Sequence, residues 1–213
     1  MRQLLYATTN PGKLMEARQL FDTVGIAALS PADVGLTLDV DETGRSLEEN
    51  AALKARAYLD QLDGGAYVVV GDDTGIEIDA LGGEPGIHSR RWTGERMTDE
   101  AIITTCLQRM EGIPPAQRGA QFRTVFAVGT PGSAITLFDG TLRGVILEQA
   151  DPLRIEGFPF ESIFYVPEWE MLLGAAQLLP AAEKACCATH RERALRAALP
   201  FIRELLAGDL PHP

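Results

Sequence analysis

The chain has 213 residues, of which 46% are hydrophobic, 23% charged and 7% aromatic; these values exclude a disordered tract or a fibre and indicate a folded domain. Nineteen Lys and Arg against thirty Asp and Glu give a formal net charge of −11, so nucleic acid and anionic membrane surfaces are not expected partners, and any phosphate must be held locally. No apolar run approaches the roughly 20 residues of a bilayer span. The first residues, Met1-Arg2-Gln3-Leu4-Leu5-Tyr6-Ala7, lack the pattern of a secretory signal, which makes the cytoplasm the expected compartment. The three cysteines, Cys106, Cys186 and Cys187, are too few for a disulfide framework and read as buried or partly buried thiols.

No repeat, low-complexity tract or linker divides the chain, so one domain over 1–213 is expected. A short apolar strand over 3–8 stops at Thr9-Asn10-Pro11-Gly12, and the spacing of Leu14, Ala17 and Phe21 then predicts a helix. A second helix is predicted over 46–62, because Ser46-Leu47-Glu48-Glu49 has capping-box spacing and Leu47, Ala51, Tyr58 and Leu62 form an apolar stripe; its other face carries Asn50 and Lys54. A buried strand over 66–70 is expected to end in a turn at Gly71-Asp72-Asp73-Thr74-Gly75, with a half-buried strand following over 76–79. A helix over 98–110 precedes three strands over 121–128, 134–138 and 141–147, separated by Gly-containing turns. Helix returns over 181–206, with Pro200 expected to mark a break or a kink between two helical pieces. The sum is an α/β protein with a mixed twisted sheet flanked by helices.

Thr8-Thr9-Asn10-Pro11-Gly12-Lys13 places free backbone N–H groups and an ammonium at a helix start, where phosphate binds well; a plain turn with a solvated Lys13 is the other reading. Glu42, Asp72 and Asp73 can converge on Mg²⁺, a hard cation that takes carboxylate oxygens and water, with a further acid activating a water. Successive residues of a strand point to opposite sides, but a strand-to-turn junction can bring both aspartates to one ion; an ordinary Asp-rich turn is the alternative. Lys54 lies on the helix side of Ser46 and Asn50, within reach of a phosphate at the helix start or simply solvated. The segment 81–92 is too Gly-rich for regular structure and reads as a substrate-lining loop, while His88 lacks a partner at metal-ligand spacing. Phe158, Pro159, Phe160 and Glu161 join aromatic faces to a carboxylate, which suits a nucleobase; a loop packed into the core is the other reading. His190 and Arg191 open the last helix and can contact a base and a phosphate or carbonyl, or lie as a surface pair. No Ser/His/Asp set or Cys/His pair is legible, which favours direct attack by metal-assisted water over covalent catalysis.

Together these segments resemble the inosine triphosphate pyrophosphatase family across almost the whole chain. The matching pieces are Ala7 to Lys13, Glu42 to Ala55, Gly71 to Gly86 and Thr189-His190-Arg191, in order and at compatible separations. The resemblance implies a two-lobed homodimer with a cleft as its active site, hydrolysing nonstandard purine nucleoside triphosphates such as ITP, dITP and XTP to the monophosphate and pyrophosphate. It implies that Thr8, Thr9, Asn10, Pro11, Gly12 and Lys13 hold the phosphates with Lys54 and Thr74. It further implies that Glu42 and Asp72 position Mg²⁺ and that Asp73 accepts the water proton while sharing the metal.

The base-reading half departs from the family. Where typical members carry Gly-Phe-Gly-Tyr-Asp-Pro-Ile-Phe, this chain has Gly157-Phe158-Pro159-Phe160-Glu161-Ser162-Ile163-Phe164. The lysine usually found five positions before the histidine is Ala185 here, with Lys184 beside it. The same chemistry on another nucleobase is therefore one alternative, and a catalytically silent nucleotide-binding protein is another.

Overall fold

A computed structural model of the chain describes residues 2–62, 65–184 and 186–208. Its elements are β1 Gln3–Ala7, α1 Pro11–Asp22, β2 Ala28–Leu29, α2 Leu47–Leu59, β3 Tyr67–Ile78, β4 Pro85–Gly86 and α3 Asp99–Arg109. They continue with β5 Gly119–Gly129, β6 Thr136–Ile146, β7 Phe164–Val166, β8 Met171–Leu172, α4 Leu173–Gln177, α5 Ala181–Lys184 and α6 His190–Ala207. The strands form a mixed sheet in the order β2-β1-β3-β5-β6-β7-β8, with β4 added to β3. β1 is parallel to β2 and β3; β4 is antiparallel to β3, and β7 to β6 and β8. The α/β expectation with a mixed sheet is met. Among the described residues no helix is long and apolar enough to cross a membrane.

The chain groups into two compact units. The first comprises Met1–Thr74, Thr124–Gly140 and Arg191–Pro213. Its core takes alternate residues of its strands, Leu4 and Tyr6, Val68 and Val70, Phe126 and Val128, as a period of two requires of one sheet face. Onto that face pack Ala17, Leu20 and Phe21 of α1 and Ala194, Leu195, Ala198, Ile202 and Leu205 of α6. The second unit comprises Gly75–Arg123 and Thr141–His190. Its core joins Ile76, Ile78, Leu142 and Ile146 to Ile102, Ile103, Cys106 and Met110 around α3, and to Phe160, Ile163 and Phe164.

The local signals for helix starts hold. Ser46 caps α2 by accepting from the Glu49 N–H at 3.2 Å, and the Glu49 carboxylate accepts in turn from the Arg45 N–H at 2.7 Å. Thr98 caps α3 through the Ala101 N–H at 3.2 Å.

Three expectations are corrected. The turn at 71–75 does not exist: β3 runs unbroken from Tyr67 to Ile78, with Asp72 and Asp73 in mid-strand. The three strands expected over 121–147 are two, since Gly140 lies inside β6 rather than in a turn. Pro200 does not divide the last helix, because α6 continues through it on the strength of its buried apolar stripe. Both Pro200 and Arg196, whose carbonyl loses its helical donor, are exposed, so water can serve the orphaned oxygen. The interruption falls instead between α5 and α6.

Gly71 decides how α2 meets β3. A Cβ there would stand 2.4 Å from the Ala51 carbonyl oxygen and 2.7 Å from the Ala55 nitrogen, both backbone atoms of α2 that cannot yield locally. Gly71→Ala is expected to lower stability by about 3 kcal/mol, read as a shift in the denaturant midpoint at unchanged slope. It should also reduce turnover, because α2 carries Asn50 and Lys54.

Candidate active site

The loop after β1 is closed by its own side chains. Asn10 caps α1, its Oδ1 accepting from the Gly12 N–H at 2.9 Å and the Lys13 N–H at 3.2 Å, while the Asn10 N–H is taken by Thr8 Oγ1 at 3.2 Å. Pro11 has no N–H to offer. The free amides expected at this helix start are therefore already satisfied by the Asn10 cap, and a phosphate here must displace the Asn10 carboxamide or rely on the Lys13 ammonium. Thr9, Asn10 and Pro11 are exposed; Thr8 is buried at the strand end.

Two ionic clusters form around the mid-strand aspartates, within the first unit. On Asp72, Oδ2 lies 3.3 Å from Lys13 Nζ of α1 and 3.4 Å from Arg191 Nη2 of α6. The same Nη2 reaches Thr74 Oγ1 at 3.2 Å, and Arg191 Nη1 pairs with Glu16. On Asp73, Oδ1 accepts from Lys54 Nζ at 3.0 Å and Oδ2 from Asn50 Nδ2 at 3.2 Å. Lys54 Nζ also reaches Glu42 Oε1 at 2.9 Å. Thr74 Oγ1 is 2.7 Å from Thr124 Oγ1 of β5. Two adjacent aspartates can stay in a strand because each finds cations or donors from separate segments: α1 and α6 for Asp72, α2 for Asp73.

These contacts set the titration of the pair in opposite directions. Burial pushes the Asp72 carboxyl up, but the Lys13, Arg191 and Lys54 charges outweigh it and hold its pKa well below the usual carboxylate range. For Asp73 burial wins: it raises the pKa despite Lys54 and Lys13, and Glu42 adds to the rise. Burial disfavours the Lys54 ammonium, yet Asp73, Asp72 and Glu42 raise its pKa above the ordinary lysine value. The buried Tyr6 hydroxyl is pushed up by burial and by the Asp72 charge.

A stability consequence follows from Asp72. Its native pKa is depressed, so the stability it contributes is complete above the unfolded-state value of about 3.9 and is lost as pH falls through the lower native value. Asp72→Asn is expected to flatten the fall in melting temperature between about pH 4 and pH 2, the range set by that shift. Thermal melts across the range check it.

The arrangement fits a hard cation. Glu42 and Asp73 already converge on one positively charged atom, the Lys54 nitrogen, through carboxylate oxygens of the type Mg²⁺ prefers. The expected trio of Glu42, Asp72 and Asp73 is not drawn into one cluster, and among the described residues no three His, Cys, Asp or Glu side chains gather at metal-holding positions. Asp72 is engaged by Lys13 and Arg191 instead.

In the second unit, Pro159–Ser162 forms one turn of 3-10 helix that buries Pro159, Phe160 and Glu161. Phe160 belongs to the core, 6.2 Å from the Trp92 ring and 6.3 Å from Phe122, rather than offering an open face. Phe158 is half-buried and, with Pro159 and Ser162, lines a cavity of about 250 Å³ with Asp99, Glu100 and Arg154. Glu161 accepts a hydrogen bond from Gln177 Nε2. His190 stacks on Phe122, ring centroids 4.9 Å apart and planes 15° from parallel. Arg191 is no surface residue; it is 2% exposed and belongs to the first unit's ionic cluster. Residues 81–92 are more ordered than a loop reading suggests: Pro85–Gly86 pairs with β3, and the Trp92 indole N–H donates to Glu84 at 2.9 Å. Lys184 ends α5, while Ala185 lies outside the described residues.

Glu16, Thr124 and Gln177 escaped the sequence reading. Glu16 stands three residues after Lys13 on α1, a spacing that puts both on one helix face and could have been read. Thr124 and Gln177 meet their partners only through the sheet and through packing, and no local pattern marks them.

The described residues thus make a mixed α/β protein in which two buried aspartates of β3 are held by lysines and an arginine from other segments. The sequence matches the Ham1 family over residues 4–201, and the chain belongs to that family. It is 38% identical over 168 residues to the dITP/XTP pyrophosphatase of Bacillus subtilis (strain 168), covering 79% of this chain and 82% of that one. It is 37% identical over 195 residues to the dITP/XTP pyrophosphatase of Geobacillus kaustophilus (strain HTA426), covering 92% and 91%. The structure of the Staphylococcus aureus Ham1 protein is similar at a TM-score of 0.75 and 31% identity, covering 98% of this chain and all of that one.

Proposed function

We propose that the chain is a nucleoside triphosphate pyrophosphohydrolase that cleaves nonstandard purine triphosphates (ITP, dITP and XTP) to the monophosphate and pyrophosphate. The observation that carries this reading is Asp73: a buried carboxylate, its pKa raised, held between the Lys54 ammonium and the Asn50 carboxamide. A base whose pKa is raised takes a proton from water more effectively than a solvated aspartate.

Lys13 and Lys54 exchange part of their carboxylate contacts for oxygens of the triphosphate, aided by Thr8, Thr9, Asn10, Gly12 and Thr74, with Pro11 fixing the loop. Asp73 orients the attacking water beside the α-phosphorus and takes its proton as pyrophosphate leaves. Glu42 and Asp72, with Asp73 sharing, would hold Mg²⁺. When bound, that ion supplies charge neutralisation on the phosphate oxygens. For the base, the half-buried Phe158 supplies apolar surface, Pro159 and the core residue Phe160 back it, Glu161 accepts from ring N–H groups, and His190 supports the contact from its stack on Phe122. Arg191 acts through Asp72 and Thr74, which it holds in place.

Catalytic efficiency over ITP, XTP, dITP, GTP and ATP with Mg²⁺ tests the reading. ITP, dITP and XTP are expected to exceed ATP by at least about 100-fold, the discrimination a hydrogen-bonding site gives against a base lacking its donor. Equal efficiencies, or none, contradict it. Activity is also expected to have an acid limb above the ordinary aspartate value: Asp73 must be ionised to act, its pKa is raised, and turnover is lost as pH falls through that raised value. An acid limb that is the same in Asp73→Asn and wild type would remove Asp73 as the base. We further propose a cytoplasmic homodimer, for which light scattering should give about twice the chain mass, and the chain mass alone would contradict it.

A further inference from the structure

Glu161 is 3% exposed and sits in the Pro159–Ser162 turn, against which α4 is pressed. A Cβ on Gly174 of α4 would come within 3.1 Å of the Glu161 carbonyl oxygen and 3.3 Å of the Glu161 Cβ, so the helix and the turn are fitted backbone to backbone. From the last residue of α4, Gln177 Nε2 donates to Glu161 Oε1.

We propose that Gln177 is a specificity-determining positioning residue: its carboxamide fixes the orientation of the Glu161 carboxylate and thereby sets which purine edge is accepted. This rests on Glu161 as the acceptor for the base. Glutamate has one more side-chain torsion than aspartate, and a free torsion blurs the direction of its acceptor oxygens. The Gln177 N–H removes that freedom by holding Oε1. A fixed acceptor oxygen takes the N1–H of hypoxanthine, xanthine or guanine and faces the N1 lone pair of adenine. Gln177 therefore acts on the ratio between bases, not on the phosphate chemistry.

The test compares kcat and KM for ITP and ATP in wild type, Gln177→Met, Gln177→Glu and Glu161→Gln. Met has similar length but no donor, and Glu keeps the shape while losing the donor when ionised. Both are expected to lower the ITP-to-ATP ratio of kcat/KM roughly 10-fold, the weight of one hydrogen bond to a charged group, with the change mainly in KM for ITP. Melting temperatures are expected to fall in both, since Glu161 loses a donor and Gln177→Glu sets a second carboxylate beside it. A purely structural role would lower efficiency on both nucleotides together and leave their ratio unchanged. If both Gln177 variants keep the wild-type ratio while Glu161→Gln collapses it, the role of Gln177 is overturned and Glu161 keeps its own. If Glu161→Gln also keeps the ratio, the base-reading role of Glu161 falls, and that of Gln177 with it.

Discussion

Asp73→Asn is expected to lower kcat for pyrophosphate release about 10³-fold, with nucleotide binding retained. Asparagine matches aspartate in size but cannot take a proton. It also offers one acceptor oxygen where two are used, since Lys54 donates to Oδ1 and Asn50 to Oδ2. With the amide oxygen kept on Lys54, the NH₂ faces Asn50, which loses its acceptor. The measurement is steady-state pyrophosphate release beside calorimetric binding of a non-hydrolysable triphosphate. A variant that keeps a third or more of the wild-type rate would remove Asp73 from the chemistry, whatever its binding.

The second large effect is on stability. Arg191→Met is expected to cost about 3–5 kcal/mol, the range for removing one partner of a buried ion pair. Arg191 is 2% exposed and Asp72 1%, and the guanidinium serves Glu16 through one nitrogen and Asp72 with Thr74 through the other. Burial disfavours its charge, but Glu16, Tyr6 and Asp72 raise its pKa far beyond the already high arginine value, so it remains charged throughout. Removing it takes one ion-pair partner from Glu16 and one from Asp72, which keeps its contact with Lys13. Arg191→Lys should recover less than half of the loss, because an ammonium lacks the fork that spans both groups. Chemical denaturation of the two variants checks this, and a loss below 1 kcal/mol for Arg191→Met would mean that the cluster is not held by its charges.

What the sequence made legible was local. Ser46 and Thr98 announce their helices because a cap and its N–H partners lie three residues apart. Asp72 and Asp73 misread as a turn because composition alone cannot show that Lys13, Lys54 and Arg191 arrive from three other segments to hold them in a strand. Gly71 and Gly140 look alike as sequence punctuation, yet the first is required by the approach of Ala51 and Ala55 and the second simply continues β6. Pro200 was read by its missing N–H, whereas the buried stripe from Ala194 to Leu205 decides that α6 persists. Lys13, Lys54, Glu42, Asp72, Asp73 and Arg191, which the structure joins in ion pairs, were legible as a family pattern. The cap that Asn10 places over the helix amides, and the hold of Gln177 on Glu161, depend on geometry that no spacing reveals.

The central claim is that water attacks the α-phosphorus of a nonstandard purine triphosphate. Its most direct test is hydrolysis of ITP in water enriched in oxygen-18, with mass spectrometry of both products. The account predicts a single heavy oxygen in the inosine monophosphate and none in the pyrophosphate. Heavy oxygen in pyrophosphate, or release of orthophosphate with inosine diphosphate, would contradict it.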